Sequence, residues 1–155
     1  MNDNEITTKI QRLWGNRHDF EGVTEDQPNR LITLDGRVFH DIPGFYLAIG
    51  EAINGRGGYF GACLDSLEDC FCGGFGVKPP VRITIFHCDD ARRDLSHEAE
   101  RQWFEANELL SPINPDDFEQ EPESKTSQIP QAAPDETYFD MILEVLRRNA
   151  NLELQ

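Results

Sequence analysis

Pro79-Pro80 is followed by Val81-Arg-Ile-Thr-Ile-Phe86, which alternates apolar and polar residues and then turns fully apolar. The prolines enforce an extended entry, and the alternation has the period of a strand. A strand this apolar has to be covered, and helical patterns flank it. Upstream, Phe45, Leu47, Ala48, Ile49 and Ile53 predict a helix over 43–53, with Pro43 in the first turn, where its missing N–H costs little. Leu64 to Phe71 predicts a second helix, closed by Gly73-Gly74. Downstream, 97–110 and 135–149 read as helices, the latter with Phe139, Ile142, Leu143 and Leu146 on one face and Asp135 placed to cap it. Leu31–Leu34 before the Asp35-Gly36 turn and Leu152–Leu154 at the end predict two more strands. The order β-α-α-β-α-α-β specifies an α/β layer fold, a small three-stranded parallel sheet packed with helices. Ahead of it, Ile6, Ile10, Leu13 and Trp14 suit a short amphipathic helix, and 16–29 reads as loop. Residues 111–134 hold five prolines and many acids and read as an inserted loop.

The 155 residues make about one domain. Fourteen Lys and Arg against 29 Asp and Glu leave a net charge of −15. A nucleic-acid backbone or an anionic membrane surface is a poor partner for such a chain, whereas a basic protein is a good one. The longest strongly apolar stretch, Val81–Phe86, falls far short of the ~20 residues a membrane span needs. The opening MNDNEITTKI has neither a basic n-region nor an apolar h-region, so a cytoplasmic location is expected, with Cys63, Cys70, Cys72 and Cys88 reduced.

The segment 57–76 carries the functional signal. On a helix through Leu64–Phe71, Leu64, Leu67 and Phe71 share one face with Cys70 beside them. The opposite face presents Ala62, Asp65, Asp69 and Gly73. Two like charges one turn apart cost a helix about 0.2–0.5 kcal/mol, and only Asp65 lies near enough the N-terminus to gain much from the dipole. Small neighbours allow another surface to approach closely. An Arg- and Lys-rich cleft that normally holds phosphate would fit such a face, since charge-assisted pairs to Arg are strong and geometrically selective. The competing reading is an acidic, solvated helix face in an acidic protein.

Tyr59-Phe-Gly-Ala-Cys-Leu-Asp-Ser-Leu-Glu-Asp-Cys-Phe-Cys-Gly73 resembles, without a gap, the hallmark of the barstar family of ribonuclease inhibitors. The flanking Gly-Gly-Tyr-Phe-Gly and Gly-Gly-Phe-Gly are most similar to inhibitors of streptomycete guanyl-specific ribonucleases. The likeness spans 30–155 less the 111–134 insertion, and 1–29 stands apart as an N-terminal extension. It implies a barstar-like fold and a monomer that occludes the active site of a basic ribonuclease in a 1:1 complex, without a cofactor. It also implies a bacterial immunity protein against a secreted RNase toxin. By the same resemblance, Asp69 is the main phosphate mimic and Asp65 a second acid. Tyr59 packs on the partner's rim or catalytic residue, Cys63 lies in the interface, Leu64 offers backbone or apolar contact, Gly73 allows close approach, and Glu144 is a further partner-facing acid. Cys63 replaces the family's usual Asn, which removes or changes one polar contact or cap, while Ser66 for Ala is a mild change. Glu68 and Gly74 stand where some members carry tryptophans. A regulatory module using this fold on a non-nuclease partner is the alternative.

Other constellations carry less. Cys-x-Cys with Cys63, Cys88 and His87 lacks the paired spacing of a zinc site, so no metal is expected and the thiols read as buried or incidental. His18, His40, His87 and His97 are scattered, and no P-loop, dinucleotide fingerprint or H-E-x-x-H occurs, so an enzyme is not expected. Tyr59, Phe60 and Phe75 could stack on bases, but the surrounding charge opposes it. Trp14 and Trp103 read as packing residues.

Overall fold

The computed structural model describes residues 3–20, 26–110 and 136–155. The elements are α1 (Asp3–Asp19), β1 (Arg30–Asp35), α2 (Ile42–Asn54), α3 (Leu64–Cys70), β2 (Val81–Phe86), α4 (Cys88–Asp94), α5 (His97–Leu110), α6 (Tyr138–Asn149) and β3 (Asn151–Leu154). The three strands form one parallel sheet in the order β1-β2-β3, with Ile32 opposite Ile83 and Ile83 opposite Leu152. The α/β layer fold and its sheet are as the alternation specifies. The 111–134 insertion and Asp135 lie outside the described residues. Thr137 caps α6.

Period-two patterning puts Ile32 and Leu34 of β1 and Val81, Ile83 and Ile85 of β2 on the inner face, all buried. Phe39, Phe45 and Ile49 from and before α2, Leu67 of α3, and Phe139, Ile142 and Leu146 of α6 share that core. The other face of the sheet carries exposed Leu31, Thr33, Arg82, Asn151 and Glu153. A hydrogen bond of 2.6 Å between the hydroxyls of Tyr46 and Tyr138 satisfies both buried groups.

The N-terminal segment differs most from its sequence reading. The helix runs on to Asp19, past the last apolar residue of the pattern, and Ile6, Ile10 and Leu13 enter the same core as the sheet. Asp41, 2% exposed, caps α2 by accepting from Gly44 N at 2.7 Å and pairs with Lys9 of α1 at 2.8 Å. One carboxylate thus starts one helix and fastens another to it. Trp103 packs against Tyr46 and Tyr138, but Trp14, read as a packing residue, is 37% exposed on α1 because Ile10 and Leu13 take the buried face. Helix α4 was not foreseen. Its sequence, Cys-Asp-Asp-Ala-Arg-Arg-Asp, buries Ala91 alone and so offers no apolar period.

Candidate partner-binding site

Seven residues are too few for a helix to stand alone in water, so α3 depends on its anchors. Leu67 and Cys70 are buried beneath it, and Phe71 at its end meets Phe60 edge-on with ring centroids 5.0 Å apart. Burial and the neighbouring Asp69 charge push the Cys70 thiol up to about 12, which leaves it inert as a nucleophile. The chain passes close under the helix at Gly61. Its φ of +98° and the 2.8 Å that would separate a Cβ from Leu67 Cα both require glycine.

The N-terminus of α3 is closed by a capping box. Cys63 Sγ accepts from Ser66 N at 3.5 Å. Ser66 Oγ accepts from the amides of Cys63 at 2.9 Å and Ala62 at 2.8 Å, and donates to Cys63 O at 3.2 Å. Serine here is therefore more than a mild change from alanine. Sulfur is a weak acceptor, so the Ser66 amide is weakly served, while the Ser66 hydroxyl satisfies the amides of Ala62 and Cys63.

Asp65 and Asp69 are exposed, and among the described residues neither carboxylate has a hydrogen bond or an ion pair. Leu64, Ala62 and Gly73 beside them are half-buried. Glu68 lies on the flank of this face toward α6, where Arg148 takes it at 3.3 Å and Glu144 at 3.8 Å. Glu144, expected as a partner-facing acid, is exposed but shares its own chain's guanidinium. Tyr59, expected on a partner's rim, is 5% exposed. Phe20, at the end of α1, and Phe75 lie against its ring, with centroids 6.2 and 6.0 Å away, so its bulk is packed inside the molecule.

Two residues that sequence reasoning missed shape the flanks of α3. Asn54, the last residue of α2, donates through Nδ2 to Tyr59 O and Phe75 O, each at 2.9 Å. It thereby ties the loop entering α3 to the loop leaving it. Asp26 accepts from Gly74 N, at 3.0 and 2.8 Å to its two oxygens, and from Gly76 N at 3.0 Å. These bonds, with a further contribution from the Phe75 amide, hold its carboxyl below the usual range. The Gly-Gly-Phe-Gly run was the available signal, since successive glycine amides readily form an anion-binding nest.

Among the described residues, no group of three or more His, Cys, Asp or Glu side chains could hold a metal ion, and no helix is long and apolar enough to cross a membrane. Among the described residues, the arrangement sets no base against Asp65 or Asp69. What it offers is a pair of unopposed carboxylates on a rigidly seated helix, flanked by little bulk. No curated protein and no solved structure matches the chain. The family model described as Barstar (barnase inhibitor) matches residues 29–110, more than half of the sequence, and includes β1, α2, α3 and β2. With the helix, its anchors and the three parallel strands in the arrangement described, the chain belongs to the barstar family of barnase inhibitors.

Proposed function

We propose that this chain inhibits a basic ribonuclease by laying α3 across the enzyme's active-site cleft, Asp69 and Asp65 taking the places of substrate phosphates. In the cell this would make it the cytoplasmic immunity protein for a cognate RNase toxin, bound one to one. The observation that carries the reading is the state of the two aspartates: exposed, one turn apart, and without a cation of their own among the described residues. In a chain with a net charge of −15, two unneutralised acids on a well-anchored helix are costly to keep for stability alone. Leu64 and Gly73 would then border the contact, while Tyr59 would support it from beneath. Glu144 would reach the partner after exchanging Arg148 for a partner cation. Residues 1–29 and 111–134 would be additions peculiar to this chain's own toxin.

Titration of barnase and of a streptomycete guanyl-specific ribonuclease with the wild-type chain and Asp69→Ala tests the reading. Wild type should bind tightly, with association slowed by salt because screening shortens steering to ~8 Å at physiological ionic strength. Asp69→Ala should lose about 2–5 kcal/mol of affinity, the usual result of truncating one member of a desolvated charge pair. A variant that binds as well as wild type would refute the assigned face. Wild type that leaves both enzymes active, yet captures a partner without nuclease activity, would favour the regulatory module.

A further inference from the structure

The loop 73–77 leaves α3 directly, and a segment outside the matched region 29–110 holds it. Asp26 takes the amides of Gly74 and Gly76. Gln27 bridges to Val77, with Gln27 N donating to Gly76 O at 3.3 Å and Lys78 N donating to Gln27 O at 3.2 Å. Phe20 stacks on Phe75 with centroids 5.7 Å apart and planes 12° from parallel, while also covering Tyr59. Gly73 adopts φ +127°, and a Cβ there would stand 3.2 Å from Asp26 Oδ2. Phe75 O also accepts from Asn54, and Gly76 O accepts a second bond from Arg30 at 3.2 Å. The N-terminal segment therefore holds the chain that leaves α3 and covers Tyr59 on the chain that enters it.

We propose that Asp26 is a positioning residue of the ribonuclease-binding face: by occupying the Gly74–Gly76 amide nest it holds the exit loop, and with it the Asp69 end of α3, in the form the partner binds. This rests on the ribonuclease reading above. The physical argument is pre-organisation. Gly73, Gly74 and Gly76 all have positive φ and, without an anion in the nest, can reach many other conformations at little cost. A partner would then have to order the loop on binding and would lose affinity by that amount. Asp26 need not touch the partner to have this effect.

The test compares Asp26→Asn and Asp26→Ala with wild type, and uses Asp89→Asn on α4 as a control of equal charge change. Affinity and dissociation rate are measured against the ribonuclease that wild type binds. Thermal midpoints and hydrogen exchange of the Gly74 and Gly76 amides are measured on the free chain. Both Asp26 variants should bind about tenfold more weakly, mainly through faster dissociation. Asparagine should lose less than alanine, because its side-chain oxygen still accepts from one amide. The two amides should exchange faster while the thermal midpoint stays near that of wild type, and Asp89→Asn should leave the dissociation rate unchanged. Faster exchange with undiminished affinity would overturn the proposal, as would an affinity loss no greater than that of the control. Wild type that binds neither ribonuclease, or Asp69→Ala that binds undiminished, overturns the ribonuclease reading and this inference with it. Binding by wild type, failure by Asp69→Ala and undiminished binding by Asp26→Asn overturn this inference alone.

Discussion

Both α3 and α6 begin with a capping box, but α6 closes it with oxygen at both positions and α3 uses the sulfur of Cys63. In α6, Asp140 Oδ2 accepts from Thr137 N at 3.0 Å and from its hydroxyl at 2.9 Å. The rest of the two helices diverges in the same direction. Helix α6 runs for twelve residues, buries seven of them, and pairs its acids with Arg92 and Arg148. Helix α3 runs for seven, buries Leu67 and Cys70, and leaves Asp65 and Asp69 unpaired. One helix has its charges arranged to suit the folded chain itself. The other is anchored by its neighbours so that its charges remain available.

The largest effects should separate the two helices by what they bury. Leu146 of α6 is fully buried, so Leu146→Ala should cost about 2–5 kcal/mol in urea unfolding through lost transfer energy and a cavity. Asp65→Asn on α3 should change stability by no more than about 0.5 kcal/mol in either direction, because relief of the like-charge pair one turn apart offsets the lost dipole interaction in the first turn. A loss above about 1 kcal/mol for Asp65→Asn would mean that α3 relies on its acids for folding, and the contrast between the helices would fail.

The caps give the next step down. Ser66→Ala frees the amides of Ala62 and Cys63 and should cost about 1 kcal/mol, as should Thr137→Ala in α6. Cys63→Ser should be neutral or stabilising, since a hydroxyl accepts better than a sulfur 3.5 Å from its donor. If Ser66→Ala proves silent in thermal melts while Thr137→Ala does not, the α3 cap is held by packing and not by its hydrogen bonds.

Strong apolar period made most of the fold legible in the sequence. Val81–Phe86, α2 and α6 each bury a periodic face, and such faces can be read without coordinates. The buried and exposed faces of α3 were legible for the same reason. What stayed hidden was set by polar contacts between distant segments. Asp26 reaches Gly74 across 48 positions, and Asn54 reaches Phe75 across 21. Neither residue type announces such a partner. The burial of Tyr59 was hidden because its covering ring, Phe20, comes from a segment read as loop, beyond the apolar run that marks α1. Helix α4 follows a strand-to-helix turn in which His87 takes a left-handed conformation, φ 57°, a feature of the backbone with no counterpart in side-chain pattern.

The smallest expected effect concerns an acid that is buried and not displayed. Glu100 of α5 is 9% exposed and has no ion pair among the described residues. Burial raises its carboxyl above the usual range, against a weaker pull from His97. A carboxylate with a raised folded-state pKa stabilises the fold fully below its unfolded value, about 4.3, and that contribution is lost as pH rises through the folded value. At neutral pH the charge is therefore a cost. Glu100→Gln removes the charge, so its thermal midpoint should exceed that of wild type at pH 7, and the gap should close as the pH falls toward about 4. A Glu100→Gln midpoint no higher than that of wild type at pH 7, or a gap that persists at about pH 4, would mean that burial does not penalise this acid.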